Sequence, residues 1–225
     1  MGSFFSNIAA NFSAQLMEYL YLLPAVVISL TVHEFSHAWM ANKLGDPTPK
    51  AEGRLSLNPL RHIDIYGFIV MLLVHFGWAK PVPVNPMYFK DPRKGMLYTA
   101  IAGPVSNLCL CVISSLFLVL SIALKLPYFF SRFFLYMVLL NVGLAVFNLI
   151  PIHPFDGSRV VSYFVPRYAV FMARNGNTIQ LIFIALLVLP NFLPIPDIIG
   201  TLITTVQFGT LSLLTAFWSA VLWFL

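Results

Sequence analysis

The sequence predicts an all-α polytopic membrane protein with about five to six transmembrane helices in one domain. A short re-entrant β-hairpin-like element is expected between the first and second core helices. Three observations lead there. Of the 225 residues 59% are hydrophobic and only 9% charged, and mean hydropathy is +0.85, far outside the range of a soluble domain. Apolar stretches recur at about 19–41, 97–124, 131–151, 178–193 and 198–225, most of them near the roughly 20 residues that carry a helix across hydrocarbon. The runs are continuously apolar rather than alternating, which argues against a transmembrane barrel.

The first run ends in His33-Glu34-Phe35-Ser36-His37. Residues four apart on a helix lie one turn above each other, so both imidazoles can face a single metal ion. In metal-dependent peptidases the glutamate of this pattern is no ligand; it moves a proton from water to the leaving amine. His-Glu-x-x-His arises by chance on many helices. Here, however, no charge stands between Leu20 and Val32, and an ionised group at mid-bilayer costs roughly 2.5 to 3.5 kcal/mol, so polar residues there face the interior and carry function. A third ligand is still required.

The N-terminal segment lacks the basic region and small-residue cleavage site of a secretory signal and is expected to be retained. Eight of the 13 Lys and Arg (Lys43, Lys50, Arg54, Arg61, Lys80, Lys90, Arg93 and Lys94) fall between the first span and the next clear one, and Arg159, Arg167 and Arg174 form a second group. Positive-inside bias then puts the N-terminus outside, with residues 42–96 and 153–177 in the cytoplasm. The net charge of +5 reflects topology, with anionic lipid of the bilayer as a neighbour. No basic patch interleaved with aromatics suggests nucleic acid. Cys109 and Cys111, the only cysteines, offer neither a disulfide framework nor a zinc site and read as core packing.

Residues 44–61 hold three prolines and two glycines, which excludes a continuous helix. Next, the apolar core Ile65–Trp78 has 14 residues, short for a span and suited to a re-entrant element, including strands dipping into the membrane. PVPVNP, Pro81 to Pro86, must be extended; it is either a connector or an edge that pairs with an extended substrate. His62 and His75 flank this stretch and read as hydrogen-bonded structural residues.

Tyr98–Leu124 opens with AIAGPVSN. Gly103 permits close approach of another backbone, Pro104 is tolerated near a helix start, and Asn107 is a buried amide that either ties helices together or serves a site. The third span, Phe133–Ile150, runs into NLIPIHPFDG, where Pro151 and Pro154 break the helix. Asp156 follows, just beyond a helix end on the side where His37 lies, at similar depth. It is the candidate third ligand, although Asp before Gly also forms turns. Two His and a carboxylate with an open position is the ligand set of hydrolytic zinc. His153 could orient a ligand. The apolar segments after about residue 178 read as scaffold or lateral gate.

Together these motifs resemble the site-2 protease family of intramembrane zinc metalloproteases, in its compact bacterial branch without a PDZ or CBS domain. HEFSH, LNPLRHIDIYG, FGWAKPVPVNP, AGPVSN and NLIPIHPFDG occur in the family's order over roughly residues 25–160. The resemblance implies one Zn2+ per chain held by His33, His37 and Asp156, with Glu34 as general base. It implies that Asn148 helps hold the substrate backbone and that Asn107 is a second polar group there. It also implies a core of 19–41, a re-entrant hairpin at 63–95, 97–124 and 131–151, placed in the bacterial inner membrane. Substrates would be transmembrane proteins already trimmed by another protease. His153 departs from the pattern, since many members have Pro at that position. Two other functions fit part of the pattern: a metal transporter, which should show inverted repeats, and an inactive membrane scaffold, which need not retain Glu34.

Overall fold

The computed structural model describes residues 2–74 and 77–223, with side chains from residue 17 onward except 72–74 and 191. The described α-helices are α1 (Gly2–Lys43), α2 (Thr48–Ala51), α3 (Ile65–Val74), α4 (Pro92–Ala123), α5 (Tyr128–Asn148), α6 (Asp156–Phe164), α7 (Pro166–Val188) and α8 (Ile198–Trp223). Five stretches are long and apolar enough to cross a membrane: Met17–Lys43 and the whole of α4, α5, α7 and α8. The chain is thus a multi-pass membrane protein, mostly helical.

The expected re-entrant hairpin is not there: Ile65–Val74 is helical, and the described residues contain no strand. The sequence IYGFIVMLLV has no period-2 alternation to favour one sheet face, and Asp64 caps the helix by accepting from Gly67 N at 2.9 Å. What remains of sheet pairing is one antiparallel bridge, Ile63 with Ala79, and a bond from Lys80 N to His62 O at 2.8 Å. Gly67 and Gly77 make this return possible, because a Cβ on Gly67 would strike the Trp78 backbone and one on Gly77 would strike Gly67 O. The residues from Trp78 to Asn85 outside the bridge are neither helix nor strand, as the prolines require. Arg54 binds Lys80 O and Pro81 O, each at 2.5 Å, and the buried Asp46 accepts from Asn85 N at 2.7 Å.

Two other boundaries differ from the hydropathy reading. α7 begins at Pro166 rather than near residue 178: proline is accepted in a first helical turn, and Arg174, Asn175 and Asn177 lower hydropathy without breaking a helix. α4 begins at Pro92, so Pro104 is interior and removes the helical bond that would close on Ala100 O. Asp91 caps α4 through the backbone N–H of Arg93 and Lys94. These bonds, chiefly the one from Lys94, hold its carboxyl below the ordinary range.

α4 and α5 form the centre, α1 lies against both, and α8 covers their other side. Cys111, Val138 and Val142 make a fully buried cluster, with Val206, Leu211 and Leu214 of α8 packed on it. Cys109, by contrast, is exposed, because two residues along a helix turn the side chain away. About four turns before the histidines along α1, Glu18 pairs with Arg132 and accepts from Tyr136.

Candidate metal centre

Pairing of α1 with α4 and α5 rests on buried polar side chains. Ser29, Asn107 and Asn141 are each 0% exposed. Asn107 donates to Asn141 Oδ1 at 2.7 Å and to Ser29 O at 3.3 Å; Asn141 donates to Ser29 Oγ at 2.9 Å and Met137 O at 2.7 Å. With its NH2 facing carbonyl oxygens, the Asn107 Oδ1 must face the other way, where His33 Nδ1 lies at 2.5 Å. His37 Nδ1 lies 2.7 Å from Thr99 O, one residue before the carbonyl that Pro104 leaves unbonded. Both Nδ1 atoms therefore carry the hydrogen, and both Nε2 atoms present lone pairs.

Those two lone pairs face each other at 3.0 Å, and Asp156 Oδ2 stands 3.3 Å from His33 Nε2 and 3.2 Å from His37 Nε2. Asp156 Oδ2 is buried without a hydrogen-bond partner. Three acceptors converging in a buried pocket repel one another unless a cation lies among them. The spacing fits zinc: a tetrahedron with bonds of 2.0–2.1 Å has edges of roughly 3.3 Å. His33, His37 and Asp156 also form a group of metal-ligating type by their mutual distances.

Two glycines admit this convergence. A Cβ on Gly103 would lie 2.6 Å from His33 Cε1 and press on His37 Nε2, so it is the imidazoles, not another backbone, that occupy the space beside it. A Cβ on Gly157 would lie 2.7 Å from Ile150 O and strike Leu149 O. Without that side chain α6 seats on the end of α5, and Asp156, its first residue, swings toward α1.

The description "Peptidase family M50" attaches to a family model that matches residues 125–190, a range containing Asp156 but not the histidine pair. Over 152 residues the chain is 45% identical to "Putative zinc metalloprotease YwhC" of Bacillus subtilis, covering 65% of this chain and 69% of that protein. The chain belongs to peptidase family M50. It is also 30% identical over 148 residues to "Putative zinc metalloprotease Rip2" of Mycolicibacterium smegmatis, covering 62% of this chain and 55% of that protein. Identity to "Putative zinc metalloprotease MJ0611" of Methanocaldococcus jannaschii is 29% over 155 residues, 68% and 74% of the two chains. No solved structure matches.

In this M50 peptidase Glu34 is half-buried between the two histidines. A cleft of about 400 Å³ opens among α1, α3, α5 and α8, lined in part by Val27, Leu30, Thr31, Phe68, Trp78 and Phe147. Val27, Leu30 and Thr31 occupy the α1 face on which Glu34 comes next, one turn on. Asn148 is half-buried, its amide donating to Leu144 O at 3.0 Å, outside the ligand cluster. Asn107 is spent entirely on internal contacts. His62 is buried with Nε2 donating to Ser56 O at 2.7 Å, His153 lines a cavity between α6 and α7, and His75 lies outside the described residues. Sequence reading missed Ser29, Thr99 and Asn141. Asn141 had a signal: it is an amide in an apolar span, seven residues before Asn148.

Proposed function

We propose that this M50 zinc metalloprotease hydrolyses peptide bonds in or near transmembrane segments of other membrane proteins, with His33, His37 and Asp156 holding the metal and Glu34 as general base. The observation that carries this is the meeting of two Nε2 lone pairs and an unpartnered carboxylate oxygen within 3.3 Å, one helical turn from an apolar cleft. Zinc held by this donor set supplies Lewis acidity toward a carbonyl oxygen and brings the pKa of water toward about 7. Glu34 takes the proton of the attacking water on its carboxylate and delivers it to the amine nitrogen that leaves. Asn107 acts by keeping His33 in one tautomer, and Asn148, at the end of α5, binds the substrate backbone.

The cleft is suited to an unwound segment rather than a helix. A helix hides its peptide groups behind side chains and its own hydrogen bonds, so the substrate must extend before water reaches the carbonyl. The walls from α3 and α8 shield that segment from lipid, and the extended chain beside Ala79 offers backbone groups to pair with it. Substrates would be single-span remnants left by an earlier protease, whose shortened ends enter the cleft. The positive-charge bias supports an N-terminus outside and a site near the cytoplasmic face of a bacterial inner membrane.

Purified wild type and Glu34→Gln are to be compared for bound zinc and for cleavage of a model transmembrane peptide in bilayer discs. Expected is one zinc in both, with cleavage lowered at least about a hundredfold in the variant, the scale of a missing general base. Equal cleavage by both proteins would remove Glu34 from the chemistry, and zinc absent from both would remove the ligand assignment.

A further inference from the structure

Between α6 and α7 lies a second cavity, of about 360 Å³, lined by His153, Ser158, Ser162, Arg174 and Asn177 among others. Its polar groups are mostly hydrogen-bond donors or hydroxyls, and no carboxylate lines it. No Asp or Glu occurs anywhere from Gly157 to Pro196, a stretch holding Arg159, Arg167 and Arg174. None of these three arginines forms an ion pair among the described residues. An adjoining cavity shares Ser162 and is lined by Arg93 and Arg159.

The outer surface of α7 decides what kind of anion fits. Arg174 shares a helix face with Val170 and Phe171 one turn before it and Leu181 two turns after it, and these are 55%, 52% and 68% exposed. α7 is long and apolar enough to cross a membrane, and an exposed apolar stripe on such a helix is suited to lipid, with Arg174 toward the end that the positive-charge bias puts at the cytoplasmic face. A guanidinium in such a stripe needs a partner or a path to water. A free phosphate would use the donors of the cavity alone, whereas a phospholipid brings a phosphate for those donors and acyl chains for the apolar stripe beside them.

We propose that the cavity between α6 and α7 binds the headgroup phosphate of an anionic phospholipid through Arg174, Ser158 and Asn177, with the acyl chains along Leu181. Arg174 supplies the planar fork that fits phosphate oxygens. Because α6 begins at Asp156, a lipid held here ties the helix that carries the carboxylate to a membrane span.

The full-length protein, stripped of lipid in detergent, is titrated with phosphatidylglycerol and, separately, phosphatidylcholine, and bound lipid is counted by native mass spectrometry. One phosphatidylglycerol is expected to bind in preference to phosphatidylcholine. Arg174→Gln should weaken it about tenfold, the loss of one charge-assisted hydrogen bond. Lys125→Gln removes the same charge in the loop between α4 and α5, and should leave binding unchanged. The proposal fails if Arg174→Gln binds like wild type, or if both variants weaken alike, which would mean bulk charge only. Displacement of the lipid by an equal concentration of inorganic phosphate would also overturn it, in favour of a free-anion site.

Discussion

At His33 the lone pair offered to the metal depends on an atom two contacts away, since the orientation of Asn107 is set by Ser29 O and Asn141. Removing that support by Asn107→Ala leaves His33 Nδ1 without its acceptor and lets the ring rotate or change tautomer. Zinc affinity, measured by competition with a chromophoric chelator, should fall 10- to 100-fold, the usual cost of losing a ligand's supporting hydrogen bond, while helix content is unchanged. Gly103 is the sharper case. Its Cβ position is already occupied by the two imidazoles, so Gly103→Ala should abolish zinc binding at stoichiometric metal even though alanine is the better helix former. Tight zinc in that variant would mean the rings have room that the structure denies them.

At the scale of elements, Asn141 joins three helices by accepting from Asn107 and donating to Ser29 Oγ. A leucine there keeps the number of heavy atoms and the branching but strands a buried amide and a hydroxyl, each costing about 1–3 kcal/mol when unsatisfied. Asn141→Leu should therefore lower the unfolding midpoint in detergent, whereas Asn175→Leu, on the exposed surface of α7, should not. If both variants melt together with wild type, the polar triad does not hold the bundle. α8 is attached differently, by apolar packing, by Trp218 Nε1 donating to Ser115 Oγ at 2.9 Å and by Gln207 donating to Leu139 O at 2.8 Å. Gln207 reaches α5 because Gly143 has no side chain in its way.

For the molecule as a whole, the ligands come from α1 and α6, which are far apart in sequence, so metal binding is linked to the packing of the bundle. Zinc at a hundred times its dissociation constant should stabilise the fold by about 2.7 kcal/mol. The unfolding midpoint should fall when a chelator is added and recover with zinc. In Asp156→Ala the response should be much smaller, because two imidazoles on one helix can bind a metal without holding α6 to α1. An undiminished response would show that α6 takes no part in the site.

The sequence by itself determined the membrane class, the core spans, the histidine pair with Glu34, and Asp156 as their candidate partner. Each is written in local terms: run length, a four-residue repeat on one helix, and a helix break followed by a carboxylate. A helix at Ile65–Val74 in place of a hairpin and the early start of α7 were decided only in three dimensions, because a short apolar run does not say which backbone satisfies its own hydrogen bonds. The same holds for Asn107, Asn141, Ser29, Thr99 and Gly103 around the imidazoles. Their roles follow from which polar atom faces which across α1, α4 and α5, and that is a property of packed helices that no spacing along one chain encodes.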